Sequence, residues 1–192
     1  MKSLQGQLLL ASRRLADPNF FHAVVLMVQH GEEGALGLVI NRPLDMTVQQ
    51  ACDDDLELTC QADGILHQGG PCQGPLMVLH ADPKAPIASG AIGGAGAHAE
   101  VFKGLYFTTE RDELEWLLKQ PQPTAKFFVG YAGWGPGQLE SELESGSWLI
   151  TGPTVQQVLH GGEDELWNKL ITRVTLGGRI KTELIPDDPS VN

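Results

Sequence analysis

Cysteine is scarce, and what little there is excludes a disulfide framework: Cys52, Cys60 and Cys72 form no C-x-x-C pair, and their odd number leaves one thiol over. A reducing compartment is the expectation. Basic charge is also short. Lys and Arg number 13 against 24 Asp and Glu, for a formal net charge of -11, and the only adjacent basic pair is Arg13 and Arg14. Nonspecific nucleic-acid affinity depends on neutralising several phosphates together, so direct DNA binding is not expected from an acidic chain without a basic stripe. Long apolar runs are missing as well. The longest, residues 23–28, is far below membrane-spanning length, and Met1-Lys2-Ser3-Leu4-Gln5-Gly6 lacks the apolar core of a signal peptide. These absences give a cytosolic location and no membrane contact as expectations.

Several kinds of chemistry lack their signatures. The six histidines include no H-E-x-x-H and no cluster with cysteine, so neither a metal nor a cofactor is expected. Asp53-Asp54-Asp55 reads as a solvated helix end, because Leu58 stands where a calcium loop needs glycine. Gly133-x-Gly135-x-Gly137 has no G-x-G-x-x-G register, and Pro136 follows Gly135 where a phosphate-binding loop would carry lysine. No G-x-S-x-G nucleophile elbow occurs.

What remains is an ordinary folding composition: 192 residues, 42% hydrophobic and 19% charged. This is enough for one sizeable core, placed at residues 1–180 with a looser tail at 181–192. Residues 7–11 read as a first strand, followed by turn chemistry at Asp17-Pro18-Asn19. Residues 23–30 and 35–41 form a predicted hairpin around Gly31-Glu32-Glu33-Gly34, and their unbroken apolar character predicts cover on both faces. Pro43 is expected to end the second strand, with Thr47 and Gln50 as a capping box for a short helix carrying Val48, Ala51 and Cys52. Residues 65–68 and 76–80 are predicted strands around Gly69-Gly70-Pro71, and residues 83–96 a loop. Further strands are expected at 101–107, 126–131 and 148–151. Helices are expected after Thr109 (Leu114, Leu117, Leu118), at Leu139 and Leu143, after Thr154 (Val155, Val158, Leu159), and around Trp167, Leu170, Ile171 and Val174. Without a regular β-α alternation, the fold class is α+β.

Asp17-Pro18-Asn19-Phe20, Gly34-Ala35-Leu36-Gly37-Leu38-Val39-Ile40-Asn41-Arg42-Pro43, Gly69-Gly70-Pro71 and Gly130-Tyr131-Ala132-Gly133-Trp134-Gly135-Pro136-Gly137-Gln138-Leu139-Glu140 occur in this order. With these four motifs the chain resembles the AlgH/YqgE family over roughly residues 4–175. Cys72 departs from the valine usual there, and the Gly-Ala-rich segment at 93–96 is a second departure. The resemblance implies a compact α+β fold with a mixed, barrel-like sheet and peripheral helices in a bacterial cytosolic protein. It implies no settled activity. The family's frequent label, transcriptional regulator, describes a phenotype and not a DNA-binding mechanism.

The candidate ligand site is Asn41, Arg42, Gly69, Gly70, His80, Tyr131, Trp134 and Gln138. Arg42 ends a strand, where it could clamp a carboxylate or phosphate; its alternative is pairing with a carboxylate while Asn41 caps the turn. The glycines around Trp134 could bare backbone N–H groups to an anion or simply permit close packing. His80 ends a strand beside Asp82-Pro83 as a base, a ligand or a structural histidine. Cys72 beside Pro71 is a candidate oxidisable thiol. Three functions follow: a ligand- or partner-binding regulatory protein without catalysis, an enzyme on a small anionic substrate using Arg42 and His80, or a DNA-binding regulator. The first fits the poverty of paired acid/base groups best.

Overall fold

In the computed structural model, residues 3–52, 60–82, 84–85, 98–161 and 163–183 are described. The apolar hairpin of the sequence becomes β2 (Val24–Gly31) and β3 (Gly34–Val39). With β1 (Leu8–Ala11), β10 (Ala132–Trp134) and β11 (Trp148–Thr151) they form a five-stranded sheet in the order β10-β3-β2-β1-β11. A six-stranded sheet contains β4 (Pro43–Thr47), β5 (Ile65–Gln68), β6 (Met77–His80), β7 (His98–Phe102), β8 (Leu105–Thr108) and β9 (Ala125–Val129). Its order is β4-β5-β9-β6-β8-β7. The fold is therefore α+β, but as two sheets and not one closed barrel among the described residues.

Side-chain alternation explains the layering. Leu8, Leu10, Val24 and Leu26 point into a core shared with Met77, Leu79, Phe107 and Phe128 of the other sheet. Leu9, Ala11, Val25 and Met27 point the opposite way, toward Trp134, Leu139 and Trp148. Both faces of β1 and β2 are thus covered, as an unbroken apolar run requires. The outer face of the six-stranded sheet, with Leu66, Val78 and Phe127, is covered by Leu114, Leu117 and Leu118 of α2 (Arg111–Leu118). α3 (Gln138–Glu144) covers the far side of the five-stranded sheet through Leu139. α4 (Val155–His160) and α5 (Glu163–Glu183) close the shared core with Val158, Leu159, Trp167, Leu170 and Ile171. The capping box predicted at Thr47 forms and opens α1 (Val48–Ala51), and Thr154 begins α4 as expected, with a capping box to Gln157 that the structure adds.

Three local expectations need correction. Pro43 opens β4, because an edge strand needs no ladder bond from the missing N–H. Residues 101–107 are not one strand: Lys103-Gly104 turns the chain between β7 and β8, with Gly104 at φ 82°. Thr109 does not cap α2. Glu110 occupies that position without a side-chain bond, and its own amide donates to Thr108 Oγ1. The strands expected on either side of Gly69-Gly70-Pro71 are present as β5 and β6, with β9 lying between them, parallel to β5 and antiparallel to β6. The loop expected at 83–96 falls mostly outside the described residues.

Candidate functional site

The two sheets are joined at a seam where two chain segments cross. The Gly69 amide donates to Val129 O of β9, and the Gly69 carbonyl accepts from Val39 N of β3, both at 2.8 Å. Beside it, Cys72 and Tyr131 exchange two backbone hydrogen bonds of 3.0 Å. The crossing is close enough to demand bare backbone. A Cβ on Gly69 would lie 2.2 Å from Gly130 O, and one on Gly70 would lie 2.2 Å from the Tyr131 carbonyl carbon. Gly130 itself turns with φ 72°, a conformation that costs glycine little.

Next to the seam a groove of about 450 Å³ is lined by Gln29, Glu33, Leu36, Cys72, Tyr131 and Trp134, among others. The Tyr131 ring stands in a slot between two glycines: a Cβ on Gly74 would meet Cδ1 at 3.1 Å, and one on Gly133 would meet Cε2 at 3.1 Å. Trp134 contributes little free surface, being 5% exposed. Its indole donates to Glu142 Oε2 at 2.9 Å, and the Trp148 indole donates to the same oxygen at 2.7 Å. Gln138 bridges Gly135 N and Glu142 Oε1. Glu142 is the residue that sequence reasoning missed here, although it sits four positions after Gln138 on the same helical face.

Asn41 and Arg42 face a different element. Asn41 Oδ1 accepts from Val24 N at 2.8 Å, its Nδ2 donates to His22 O at 2.9 Å, and Arg42 Nη2 donates to Phe21 O at 3.2 Å. Burial lowers the pKa of the Arg42 guanidinium, and Asp17 opposes that shift. Asp17 also caps the short 3-10 turn Pro18–Phe20 by accepting from Asn19 N. Phe20 packs on Trp134 and Trp148, with ring centroids 6.2 and 5.4 Å away. Two motifs of the sequence therefore meet in one clamped loop. Among the described residues His22 is the one non-glycine with positive φ, at 54°. Replacing Asn41 with alanine removes both amide bonds and leaves the Val24 donor without its acceptor. The expected loss is about 2 kcal/mol, measurable as a lowered urea midpoint at constant m-value.

His80 lies elsewhere, on the outer face of the six-stranded sheet. Its Nε2 is 2.9 Å from Glu113 Oε1 of α2, with both side chains at 1% exposure or less, and its ring stacks on Tyr106. Arg42 and His80 are not brought together. The structure gathers Gly69, Gly70, Tyr131, Trp134 and Gln138 along the seam and its groove. Asn41 and Arg42 are tied to that region through the Phe20 loop.

A second histidine pair links the chain start to α3. Leu4 N donates to His30 Nδ1 at 3.1 Å, so Nε2 carries the proton given to Glu140 Oε1 at 2.9 Å. The Glu140 carboxyl is held below the ordinary carboxylate range first by the bond from its own backbone amide and, against partial desolvation, also by His30. A lowered carboxyl pKa means the unfolded chain binds the proton more tightly, so this contribution is complete above the unfolded pKa and disappears as pH falls through the folded one. The melting temperature should fall on acidification below about pH 4.3. Glu140→Gln should flatten that part of the profile.

The AlgH-like family model matches residues 8–179. A UPF0301 protein of Myxococcus xanthus is 40% identical over 171 residues, 88% of this chain and 89% of that one. A UPF0301 protein of Streptomyces coelicolor is 35% identical over 196 residues, covering 100% of this chain and 97% of the relative. The solution structure of the AlgH protein from Pseudomonas aeruginosa superposes with a TM-score of 0.69 at 28% identity, covering 98% of this chain and 97% of that chain.

Proposed function

The chain belongs to the AlgH-like family and is similar to UPF0301 proteins, and from that premise we propose that it is a non-catalytic binding protein of regulatory role. Its groove beside Tyr131 receives a small ligand or a segment of a partner. The observation that carries this reading is the Tyr131 slot, in which two glycines seat one aromatic ring on a recess of about 450 Å³. That volume lies within the few hundred to about 1,000 Å³ common for small-molecule sites. Leu36 supplies apolar wall, while Gln29 and Glu33 supply a polar rim.

The position of the acid/base pairs supports a role without catalysis. His80 is committed to Glu113 under α2 and His30 to Glu140, and neither histidine lines this groove. The acidic balance of the chain supports regulation that does not pass through direct DNA contact.

Thermal-shift screening of the full chain against metabolite pools is the direct test, with Tyr131→Ala and Gln29→Ala as controls. A stabilising hit should lose most of its shift in both variants. A shift kept by both variants, or conversion of the hit to product, overturns the reading. Fluorescence anisotropy with duplex DNA at low salt should give no binding, and salt-sensitive binding there would overturn the clause on DNA.

A further inference from the structure

A more specific chemical signature lies at the other end of β2. The Phe21 and His22 rings are 3.9 Å apart at 21°, and the His22 and Trp167 rings are 3.8 Å apart at 17°. Two nearly parallel rings at those spacings cannot share one face of an imidazole, so His22 is sandwiched between them. The stack therefore runs outward from the core. Trp167 is 3% exposed and its indole donates to Ala11 O at 2.8 Å, whereas Phe21 at the outer end is 63% exposed.

This stack is imposed on the backbone. His22 adopts φ 54°, a left-handed backbone uncommon outside glycine, and Asn41 and Arg42 pin the carbonyls of His22 and Phe21. Strain that the surroundings over-determine is characteristic of binding sites. The same rings wall a recess of about 380 Å³ completed by Ser12, Arg13, Leu15 and Asn168. Against a net charge of -11, the charged side chain lining this recess is Arg13, which is exposed and has no ion pair among the described residues.

We propose that the Phe21–His22–Trp167 stack and Arg13 form a binding site for a small planar aromatic anion. The ligand ring lies in this recess against the edges of the three stacked rings, and its carboxylate or phosphate is taken by Arg13. Edge contacts with these rings need no reorganisation of the protein, because the three rings are already aligned. Ser12 and Asn168 offer a hydroxyl and an amide for the ligand's remaining polar atoms. The recess has the volume of a small molecule, whereas a protein partner ordinarily covers about 800 Å² per side. This site is independent of the Tyr131 groove. Gln29 lies about 16 Å along β2 from Val24 at the usual rise of an extended strand, and His22 stands before that strand begins.

Nitrogen–proton NMR titration of the full chain tests it with four probes: adenosine monophosphate, indole-3-carboxylate, uncharged adenosine and inorganic phosphate. The two aromatic anions distinguish a nucleotide from an aryl carboxylate. At least one should shift the Trp167 indole and His22 amide resonances saturably, with adenosine and phosphate alone at least about tenfold weaker. Phe21→Leu, which keeps an exposed apolar residue, and Arg13→Gln should each weaken binding about tenfold while leaving the Trp134 indole resonance in place. Tyr131→Ala should leave the affinity unchanged. The proposal is overturned if neither anion moves these resonances, if binding survives both substitutions, or if the shifts map to Gln29, Tyr131 and Gly133 instead.

Discussion

Gly69→Ala should cost about 4 kcal/mol or more, a large share of the stability of an ordinary domain. The added methyl would meet Gly130 O at 2.2 Å and Leu38 Cδ2 at 2.9 Å. The leucine can rotate away, but the carbonyl belongs to the second crossing segment. Relief requires breaking the Gly69 bonds to Val39 or Val129, which is to say opening the seam between the sheets. Gly104→Ala provides the control, with φ 82° and nothing within 4 Å of its Cβ; it should cost only about 1 kcal/mol from backbone strain. Urea unfolding measures both, and a Gly69→Ala loss near that of Gly104→Ala would show that the seam yields.

Glu113→Ala should be the second most damaging change, at about 3–5 kcal/mol, because it breaks a pair whose partners are both out of water. Glu113→Gln retains a hydrogen-bonding group and should lose less. Replacing His80 and Glu113 together by leucine should recover much of the single-variant loss, since an apolar pair of comparable bulk incurs no desolvation cost. A double-mutant cycle on thermal unfolding measures this coupling. Additive losses would mean that the two side chains contribute independently.

The local elements were legible where chemistry acts over a few residues. The capping box at Thr47, the helix start at Thr154 and the two-sided burial of β2 follow from side-chain types and spacing. The hidden part was pairing between distant segments. Nothing in residues 65–68 says that they will lie parallel to β9 instead of turning back on β6. Pro43 carries the same signal at a strand's end and at the start of an edge strand, and only the sheet order separates the two. The candidate residues were visible as unusual polar and glycine positions, but their partners were not. Asn41 and Arg42 suggested a clamp, and the groups they clamp are the carbonyls of Phe21 and His22. Glu113 was indistinguishable from any acidic residue in the first turn of an amphipathic helix, because its selection depends on His80 facing it from the sheet surface that α2 covers.

Leu66 in β5 pairs with Phe127 in β9, about sixty positions later in the chain. A nascent polypeptide therefore emerges from the ribosome with β4 and β5 already made and no neighbour for the open edge of β5, until synthesis has passed residue 129. Translation pauses within that interval should prolong exposure of adhesive strand edges and increase dependence on chaperones.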